Sequence, residues 1–347
     1  MSNKRASQFE LLRIICMLLI IMNHMIMVHN DNNEASTTIS LLLRSFTRAA
    51  VDAFVIISGY FVIKFKAKKL AKLLTQTWFY SVTSFLLVVF LLNLQSFTIN
   101  KDFLAFFPTF SRQYWFVTVY IGLYCISPFL NKFIESSSKK TLQKFLIVGV
   151  VLFYIWPTAA YLVNARHLVE DSGYGIVNFS YLYILGRYLN LHFIDKHNCS
   201  WHFRNYLIIG IVLFISQYII SHILGFEFSA WFSYDSIFVL IAAVSLFLCF
   251  KHLKIQSSKI NALAAPCIAI YLFHYSPYVW DNFTNYIGLI NAPIFLYITS
   301  VFSLPIIIYL LGVVIENIRE KCLKKPEEWL GNSIEILIEK IQKVINR

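Results

Sequence analysis

The chain has 347 residues, of which 58% are hydrophobic and only 14% are charged, and its formal net charge is +12 at pH 7. A soluble domain of this length carries roughly 25% charged residues, whereas here apolar runs of about 20 residues, each long enough to cross a bilayer, recur from end to end. The composition therefore excludes a soluble protein. Because Lys and Arg stand in short blocks between the apolar runs, the charge fits the loops of a membrane protein and argues against nucleic-acid binding.

Ten apolar segments predict an all-α integral membrane protein with about ten transmembrane helices. They lie near residues 9–28, 46–63, 73–94, 113–131, 143–163, 177–194, 206–224, 233–250, 262–280 and 293–315. The first follows Lys4 and Arg5, as in a signal peptide, but it is longer than a signal-peptide core and no small-residue cleavage site follows it. We therefore expect it to remain as the first helix.

The distribution of cations predicts the orientation. With both the N and the C terminus in the cytoplasm, 23 of the 30 Lys and Arg residues lie on the cytoplasmic side and five on the outer side. This bias follows the positive-inside rule, and an odd number of spans would break it. The expected location is the cell (plasma) membrane, and a composition rich in Ile, Phe, Lys and Asn suggests a bacterial source.

The C-terminal residues 317–347 differ from the predicted membrane domain, residues 1–316. From Trp329 onward, apolar residues recur at steps of three and four, with Lys and Glu on the other face. This pattern predicts a cytoplasmic amphipathic helix that lies at the membrane interface. A helix that packs on the membrane domain or on a second copy is the alternative.

The first predicted helix carries three ionisable residues, Glu10, Arg13 and His24, and such residues are costly inside a membrane unless they have a function or a partner. Arg13 and His24 are eleven residues apart, which places them within about 20° of one helix face and about 16.5 Å apart along the axis. Glu10 stands three residues before Arg13, at ion-pair spacing. The pattern fits an anionic donor held by Arg13 and a general base at His24. A snorkelling arginine with a core histidine is the alternative.

Four segments resemble a known family. "FELLRIICMLLIIMNH" (9–24) is similar to the opening helix of the integral-membrane acyltransferases of family 3, in which an Arg, ten residues and a His follow an acidic residue. "VDAFVIISGYFV" (51–62), "YWFVTVYIGLYCISPFLN" (114–131) and "IAIYLFH" (268–274) resemble later motifs of that family, in the same order. The resemblance covers essentially the whole chain.

The resemblance implies an O-acyltransferase that takes an acyl group, usually acetyl, from cytosolic acyl-coenzyme A. The acceptor is a hydroxyl of a cell-surface polysaccharide or a lipid-linked sugar, membrane lipid surrounds the protein, and no cofactor is permanently bound. With this resemblance the predicted catalytic residues are His24, Arg13 and His274. The residues predicted to bind substrate or coenzyme are Glu10, Ser58, Gly59, Tyr60, Lys66, Lys68, Lys69, Trp115 and Tyr120.

Several of these residues also have a purely structural interpretation. Ser58 and Gly59 suit close helix packing, and Trp115 and Tyr120 suit the aromatic belt of a membrane protein. The basic stretch after the second predicted helix contains only lysine, where the family often has arginine, so it lacks bidentate phosphate contacts. Asp52, at the start of the motif 51–62, stands four residues after Arg48, and an ion pair between them is expected rather than a catalytic role.

Two other functions are compatible with many apolar helices. A transporter or flippase for a polysaccharide or lipid-linked sugar would line its pathway with intramembrane charges, and a glycan polymerase or ligase shares the aromatic-rich composition. The chain has neither an internal repeat nor the large outer loop typical of a polymerase. It also shows no metal-ligand spacing, so no metal is expected, and no Gly-x-Ser-x-Gly, phosphate-loop or dinucleotide-binding motif.

Overall fold

A computed structural model of the protein describes residues 6–28, 34–111, 113–163, 165–223, 230–280 and 293–345. Lys4 and Arg5, which contribute to the predicted orientation, lie outside these residues. All regular structure in the described ranges is helical. The prediction of an all-α membrane fold is therefore confirmed.

Each predicted apolar segment contains a helix, and two helices, Glu34–Thr47 and Ile99–Asp102, were not predicted as apolar segments. In chain order they are α1 (Ser7–Val28), α2 (Glu34–Thr47), α3 (Ala49–Phe61), α4 (Ala67–Leu86), α5 (Ile99–Asp102), α6 (Trp115–Ser136), α7 (Lys139–Val150), α8 (Trp156–Leu162), α9 (Ile176–Leu191), α10 (Cys199–Tyr218), α11 (Ile237–Lys251), α12 (Ser258–Ala264), α13 (Cys267–His274) and α14 (Ile294–Ile345). Wider, π-helical turns continue α4, α7 and α10 at Leu87–Leu91, Val151–Ile155 and Ile219–Ile223.

Six helical stretches of the described chain are long and apolar enough to cross a membrane. They are Ser7–Met27, Ala67–Leu91, Trp115–Ser136, Lys139–Leu162, Cys199–Ser221 and Ile294–Ile341. The helices in the other four predicted segments are shorter: α3 has 13 residues, α9 has 16 and α11 has 15, and the segment 262–280 contains α12 and α13, with seven and eight residues. At about 1.5 Å per residue, a 13-residue helix is shorter than a hydrocarbon core of about 30 Å. The ten-span count and the orientation of the termini stay predictions.

The described chain forms two compact units. The first consists of Met1–Ile63, Phe129–Cys267 and Gly288–Ile306, and the second consists of Lys64–Pro128, Ile268–Ile287 and Ile307–Arg347. In the first unit, α3 packs closely on α9, and α10 packs on α11 and α2. In the second unit, α4 packs on the short turn Phe103–Phe106.

Two glycines make the close approach of α3 and α9 possible. A Cβ atom on Gly59 would lie 2.0 Å from the backbone oxygen of Tyr183, and a Cβ atom on Gly186 would lie 2.3 Å from the backbone oxygen of Ile56. Small residues on facing helices allow such contact, which is a common source of helix association in membranes. Any side chain at either glycine would push the two backbones apart.

Apolar side chains also cover outward faces, as expected for a protein surrounded by lipid. On α10 and its continuation these exposed residues are Phe203, Leu207, Ile208, Ile211, Val212, Ile215 and Ile219. On α14 they are Phe302, Ile306, Ile307, Leu310, Leu311, Val314 and Ile318. Both sets recur at steps of three and four residues, so each forms one stripe along its helix.

The last helix joins two regions that the sequence separates. α14 is continuous for 52 residues, so the last predicted span and the predicted amphipathic tail belong to one helix. In the tail, Gly331 packs against Lys68 of α4, and Glu327 accepts a hydrogen bond from Thr75. Trp329 and Leu337 remain exposed. The tail therefore packs on α4 and also presents apolar side chains to its surroundings, and the division at residue 316 stays a prediction.

Candidate active site

The ion pair predicted at the start of α1 is present in the first unit. Nη1 of Arg13 donates to both carboxylate oxygens of Glu10, at 3.0 and 3.1 Å. The two side chains are 27% and 13% exposed. Nε and Nη2 of Arg13 make no hydrogen bond to any other residue that the structure describes. Arg13 therefore holds one carboxylate and has donors left for a second anion.

His24 lies on the same uninterrupted helix and is half-buried. The neighbouring residue, Asn23, is buried and accepts a hydrogen bond of 3.1 Å from the hydroxyl of Thr47, at the end of α2. This bond fixes the rotation and depth of α1 at the level of His24. Asn23 and Thr47 were not predicted to belong to the site, although a polar residue beside an intramembrane histidine indicates one.

The Ser-Gly-Tyr motif lies on α3, also in the first unit. The Ser58 hydroxyl donates to the backbone oxygen of Phe54, and Gly59 is in the contact with α9 described above. The Tyr60 ring lies 5.1 Å from the ring of Phe9 and 5.2 Å from that of Phe247. The structure thus brings Tyr60 to Phe9 in the first turn of α1, the turn that also contains Glu10. Direct contact of these three residues with a substrate stays a prediction.

The predicted basic stretch opens α4 in the second unit. Lys66, Lys68 and Lys69 are exposed. The Lys66 amide donates to the Tyr124 hydroxyl at 2.8 Å, so the start of the helix is anchored while the Lys66 side chain stays in solvent. Lys72 differs because it forms an ion pair with Glu320 of α14. Three of these cations are therefore available to phosphates, and Lys72 is already paired.

Aromatic rings connect three other predicted site residues in the second unit. The Tyr120 ring stacks on Phe116 at 5.9 Å, Phe116 lies 5.5 Å from Tyr271, and Tyr271 lies edge-on to His274 at 5.9 Å. Trp115 contacts the same Phe116. Trp115, Tyr120 and His274 are thus assembled around two rings that the sequence analysis did not assign. Phe116 stands four residues before Tyr120 on α6, and Tyr271 stands three residues before His274 on α13. These spacings place each ring on the same helix face as a predicted site residue, so the sequence could have indicated both rings.

The hydrogen bonding of His274 selects one tautomer. Its Nδ1 lies 2.8 Å from the backbone oxygen of Ile270, and the ring is buried. A carbonyl oxygen only accepts, so Nδ1 must carry the proton. In the neutral ring the lone pair is then on Nε2, which is the form that accepts a proton or an acyl group.

A buried ionic cluster that was not predicted from the sequence lies in the second unit. Arg319 of α14 donates to both carboxylate oxygens of Glu316 and to Glu327, and Gln76 and Tyr80 of α4 donate to Glu316. Glu316 and Arg319 are almost fully buried. Every strong hydrogen-bonding group here has a partner within the unit, so the cluster holds α14 on α4.

The expected ion pair between Arg48 and Asp52 is not formed, and that expectation is wrong. Nε of Arg48 donates to the backbone oxygen of Phe232, and the guanidinium lies 4.2 Å from the centre of the Tyr234 ring. Arg48 stands at the break between α2 and α3, where its side chain turns toward the loop before α11. A carbonyl dipole and an aromatic face therefore replace the carboxylate as its partners.

The fold and these residues define a class of protein. An all-helical membrane protein that presents a half-exposed arginine and a half-buried histidine on one helix has the parts of a membrane-embedded group-transfer enzyme. The family model described as an acyltransferase domain matches residues 7–315, and the chain belongs to this family, acyltransferase family 3. It is a membrane acyltransferase. No curated protein and no solved structure matches the chain.

Proposed function

We propose that this protein is an O-acyltransferase that moves an acyl group, acetyl in the first instance, from cytosolic acyl-coenzyme A to a hydroxyl of a cell-surface polysaccharide or lipid-linked sugar. The observation that carries the proposal is the state of Arg13, whose Nη1 is paired with Glu10 and whose other donors bond to no residue in the described part of the chain. Acyl-coenzyme A is a co-substrate with several phosphates, and a guanidinium fork binds phosphate well.

His24 is the proposed base. It takes the proton of the acceptor hydroxyl, the hydroxyl oxygen attacks the thioester carbon, and the bond from carbon to sulfur breaks. The coenzyme leaves as a thiolate and takes up a proton, while the acyl group remains on the sugar as an ester. In a second route a histidine first accepts the acyl group and then passes it on. The Nδ1–H tautomer of His274 suits that route equally well.

Lys66, Lys68 and Lys69 are a second group of candidate phosphate ligands. They are exposed at the start of α4, and positive charge in this stretch agrees with a cytoplasmic location. As ammonium groups they act as point charges without a fixed fork, so we expect each to contribute less than Arg13.

Polar and aromatic groups in the first unit suit a sugar acceptor. The Tyr161 hydroxyl donates to Asp235, the Tyr234 amide donates to the Ser172 carbonyl, and Tyr174 exposes its ring beside Tyr234. Hydroxyls, a carboxyl group and ring faces are the groups that bind carbohydrate hydroxyls and the apolar faces of sugar rings. In the predicted orientation Ser172 and Tyr174 belong to an outer loop. Tyr161, Tyr234 and Asp235 lie at the outer ends of predicted spans, on the side where the acceptor is expected.

The same proposal places the protein in the bacterial plasma membrane with ten spans and both termini in the cytoplasm. Reporter fusions at both termini should report a cytoplasmic location, and a membrane-impermeant label should reach a cysteine introduced at position 170 only from outside. An external C terminus would show that the number of spans is odd and would contradict the orientation.

The decisive experiment replaces His24. In membranes that contain the acceptor, the His24→Ala variant should insert and fold but lose acetyl transfer, measured as ester-linked acetyl on the glycan and as free coenzyme A. His192→Ala, which changes a histidine just after α9, is the matched control and should retain activity. Near-normal transfer by His24→Ala would remove His24 from the mechanism. A wild-type protein that binds no acyl-coenzyme A would contradict the proposed reaction itself.

A further inference from the structure

A cluster of metal-binding side chains lies in the first unit, away from α1. Asp195 is in the connection between α9 and α10, His202 is in the first turn of α10, and His252 directly follows α11. Nε2 of His202 lies 2.7 Å from Oδ2 of Asp195, and Nε2 of His252 lies 2.8 Å from the same oxygen. The three potential ligand atoms all lie within 4.8 Å of one another.

The geometry is close to that of a tetrahedral zinc site. The two imidazole rings are nearly parallel, at 14°, with centres 5.6 Å apart, and both direct Nε2 at the same carboxylate. Zinc with bonds of about 2.0–2.1 Å holds neighbouring tetrahedral ligands about 3.3 Å apart. Both Nε2 atoms face Oδ2 at hydrogen-bond distance, so Asp195 must withdraw by on the order of 1 Å for an ion to enter between the three ligands.

Burial and charge also suit a cation. The side chains of Asp195 and His202 are 3% exposed, whereas His252 is 28% exposed and leaves a way in. The Asp195 carboxylate also accepts a hydrogen bond of 3.0 Å from the backbone amide of His197, which fixes its orientation. Carboxylates that bind metal ions are commonly held by such additional hydrogen bonds.

The donor set of the cluster favours zinc. Two imidazole nitrogens with one carboxylate suit zinc better than magnesium or calcium, which prefer oxygen ligands alone. Cys199 and Cys249 each stand three residues before a histidine of the cluster, but their sulfur atoms, 2.8 Å apart, are not among the three clustered ligand atoms. In the predicted orientation both cysteines face the cytoplasm, where thiols stay reduced.

A neighbouring histidine does not take part. The ring of His197 stacks flat on Trp201 at 3.9 Å and is exposed. His192 packs near Tyr188, at 5.5 Å between ring centres. Both lie in or beside the same connection, so they provide controls that resemble the ligands in chemistry but not in position.

We propose that Asp195, His202 and His252 bind one Zn²⁺ ion that ties the connection between α9 and α10 to the end of α11. With three protein ligands the fourth position is open to water or a thiolate. The role is structural, since the ion joins segments whose helices already pack together. This proposal departs from the sequence-based expectation that no metal is bound.

The test is metal content of the full-length protein, purified in detergent through a tag without histidine. Cells are grown with added zinc, and bound metals are measured by mass spectrometry after gel filtration. We expect about one zinc per chain in the wild type and in His192→Asn. His202→Asn, His252→Asn and Asp195→Asn should each retain at least tenfold less zinc.

A second measurement separates loss of binding from loss of folding. Chelation should lower the Tm of the wild type, and added Zn²⁺ should restore it, whereas a folded His252→Asn variant should respond to neither. The proposal is overturned if the wild type contains no zinc and takes up none on titration with Zn²⁺. It is also overturned if the three variants hold as much zinc as the wild type, or if another metal occupies the site.

Discussion

Two ion pairs of identical spacing lie at the ends of the described chain. Glu10 and Arg13 on α1, and Glu316 and Arg319 on α14, each place a glutamate three residues before an arginine at the edge of an apolar run. The first pair is partly exposed, at 13% and 27% for the two side chains, and the second is almost completely buried, at 3% and 0%. From the sequence the two pairs are equivalent.

The two ion pairs differ in the number of hydrogen bonds that their surroundings supply. The carboxylate of Glu316 receives four hydrogen bonds, two of them from Arg319 and the others from Gln76 and Tyr80. All three nitrogens of the Arg319 guanidinium are engaged, and Glu327 takes the third. Arg13 uses one nitrogen. Because all the guanidinium nitrogens of Arg319 are already bonded, the buried pair serves to hold helices together. Arg13 still has guanidinium donors that bond to no described residue, so the partly exposed pair can bind an anionic ligand.

The largest effect should follow from breaking the buried pair. Arg319→Ala leaves Glu316 as an unpaired charge in a buried site, which typically costs about 3–5 kcal/mol of folding stability. The free energy of unfolding, measured by denaturant titration in micelles, should fall by that amount, or the folded protein should not accumulate. Arg13→Ala is the matched control at the same spacing. Equal losses for both variants would contradict the distinction between the pairs.

An intermediate effect is expected at Arg13, on ligand binding. Arg13→Lys keeps the charge but loses the planar fork, so affinity for acetyl-coenzyme A should weaken by about 1–3 kcal/mol, and Arg13→Ala should weaken it further. The measurement is a binding isotherm of purified protein that has an unchanged Tm. Undiminished binding by both variants would assign Arg13 a structural role and leave the enzyme itself intact.

The smallest effect should come from Glu10→Gln. Because the pair is partly exposed, its loss should change folding stability by about 0–1 kcal/mol. The amide still accepts one hydrogen bond, and Arg13 gains net positive charge toward an anion. Affinity for acetyl-coenzyme A should therefore stay equal or rise slightly. A marked fall in affinity would mean that Glu10 positions Arg13 for the donor rather than competing with it.

Most of the transmembrane helices could be predicted from hydropathy alone. Lipid satisfies no backbone hydrogen bond, so a long apolar run must be helical, and each predicted segment coincides with helical chain. The placement of Arg13 and His24 also follows, because α1 is uninterrupted and helix geometry converts sequence spacing into direction and distance.

Side-chain contacts between different helices could not be predicted from the sequence. Arg48 was expected to pair within its own helix and instead turns to Phe232 and Tyr234. The spacing of Arg48 and Asp52 permits a local pair but says nothing of a distant carbonyl and ring that compete for the same cation. Gly59 likewise supports both a packing and a substrate role in the sequence, and its place against Tyr183 shows the packing directly.

The sequence by itself determined the helices, their apolar faces and the relation of residues along one helix, because these depend on local backbone geometry and on exclusion of polar groups from lipid. Only the tertiary structure decided which polar groups meet. Asp195 and His252 are 57 positions apart, and no periodic pattern links them, yet their atoms lie 2.8 Å apart once α9, α10 and α11 are packed. Packing of α14 on α4 likewise buried Glu316, whereas Arg13 stayed partly exposed, which is why two motifs of identical spacing acquired different roles.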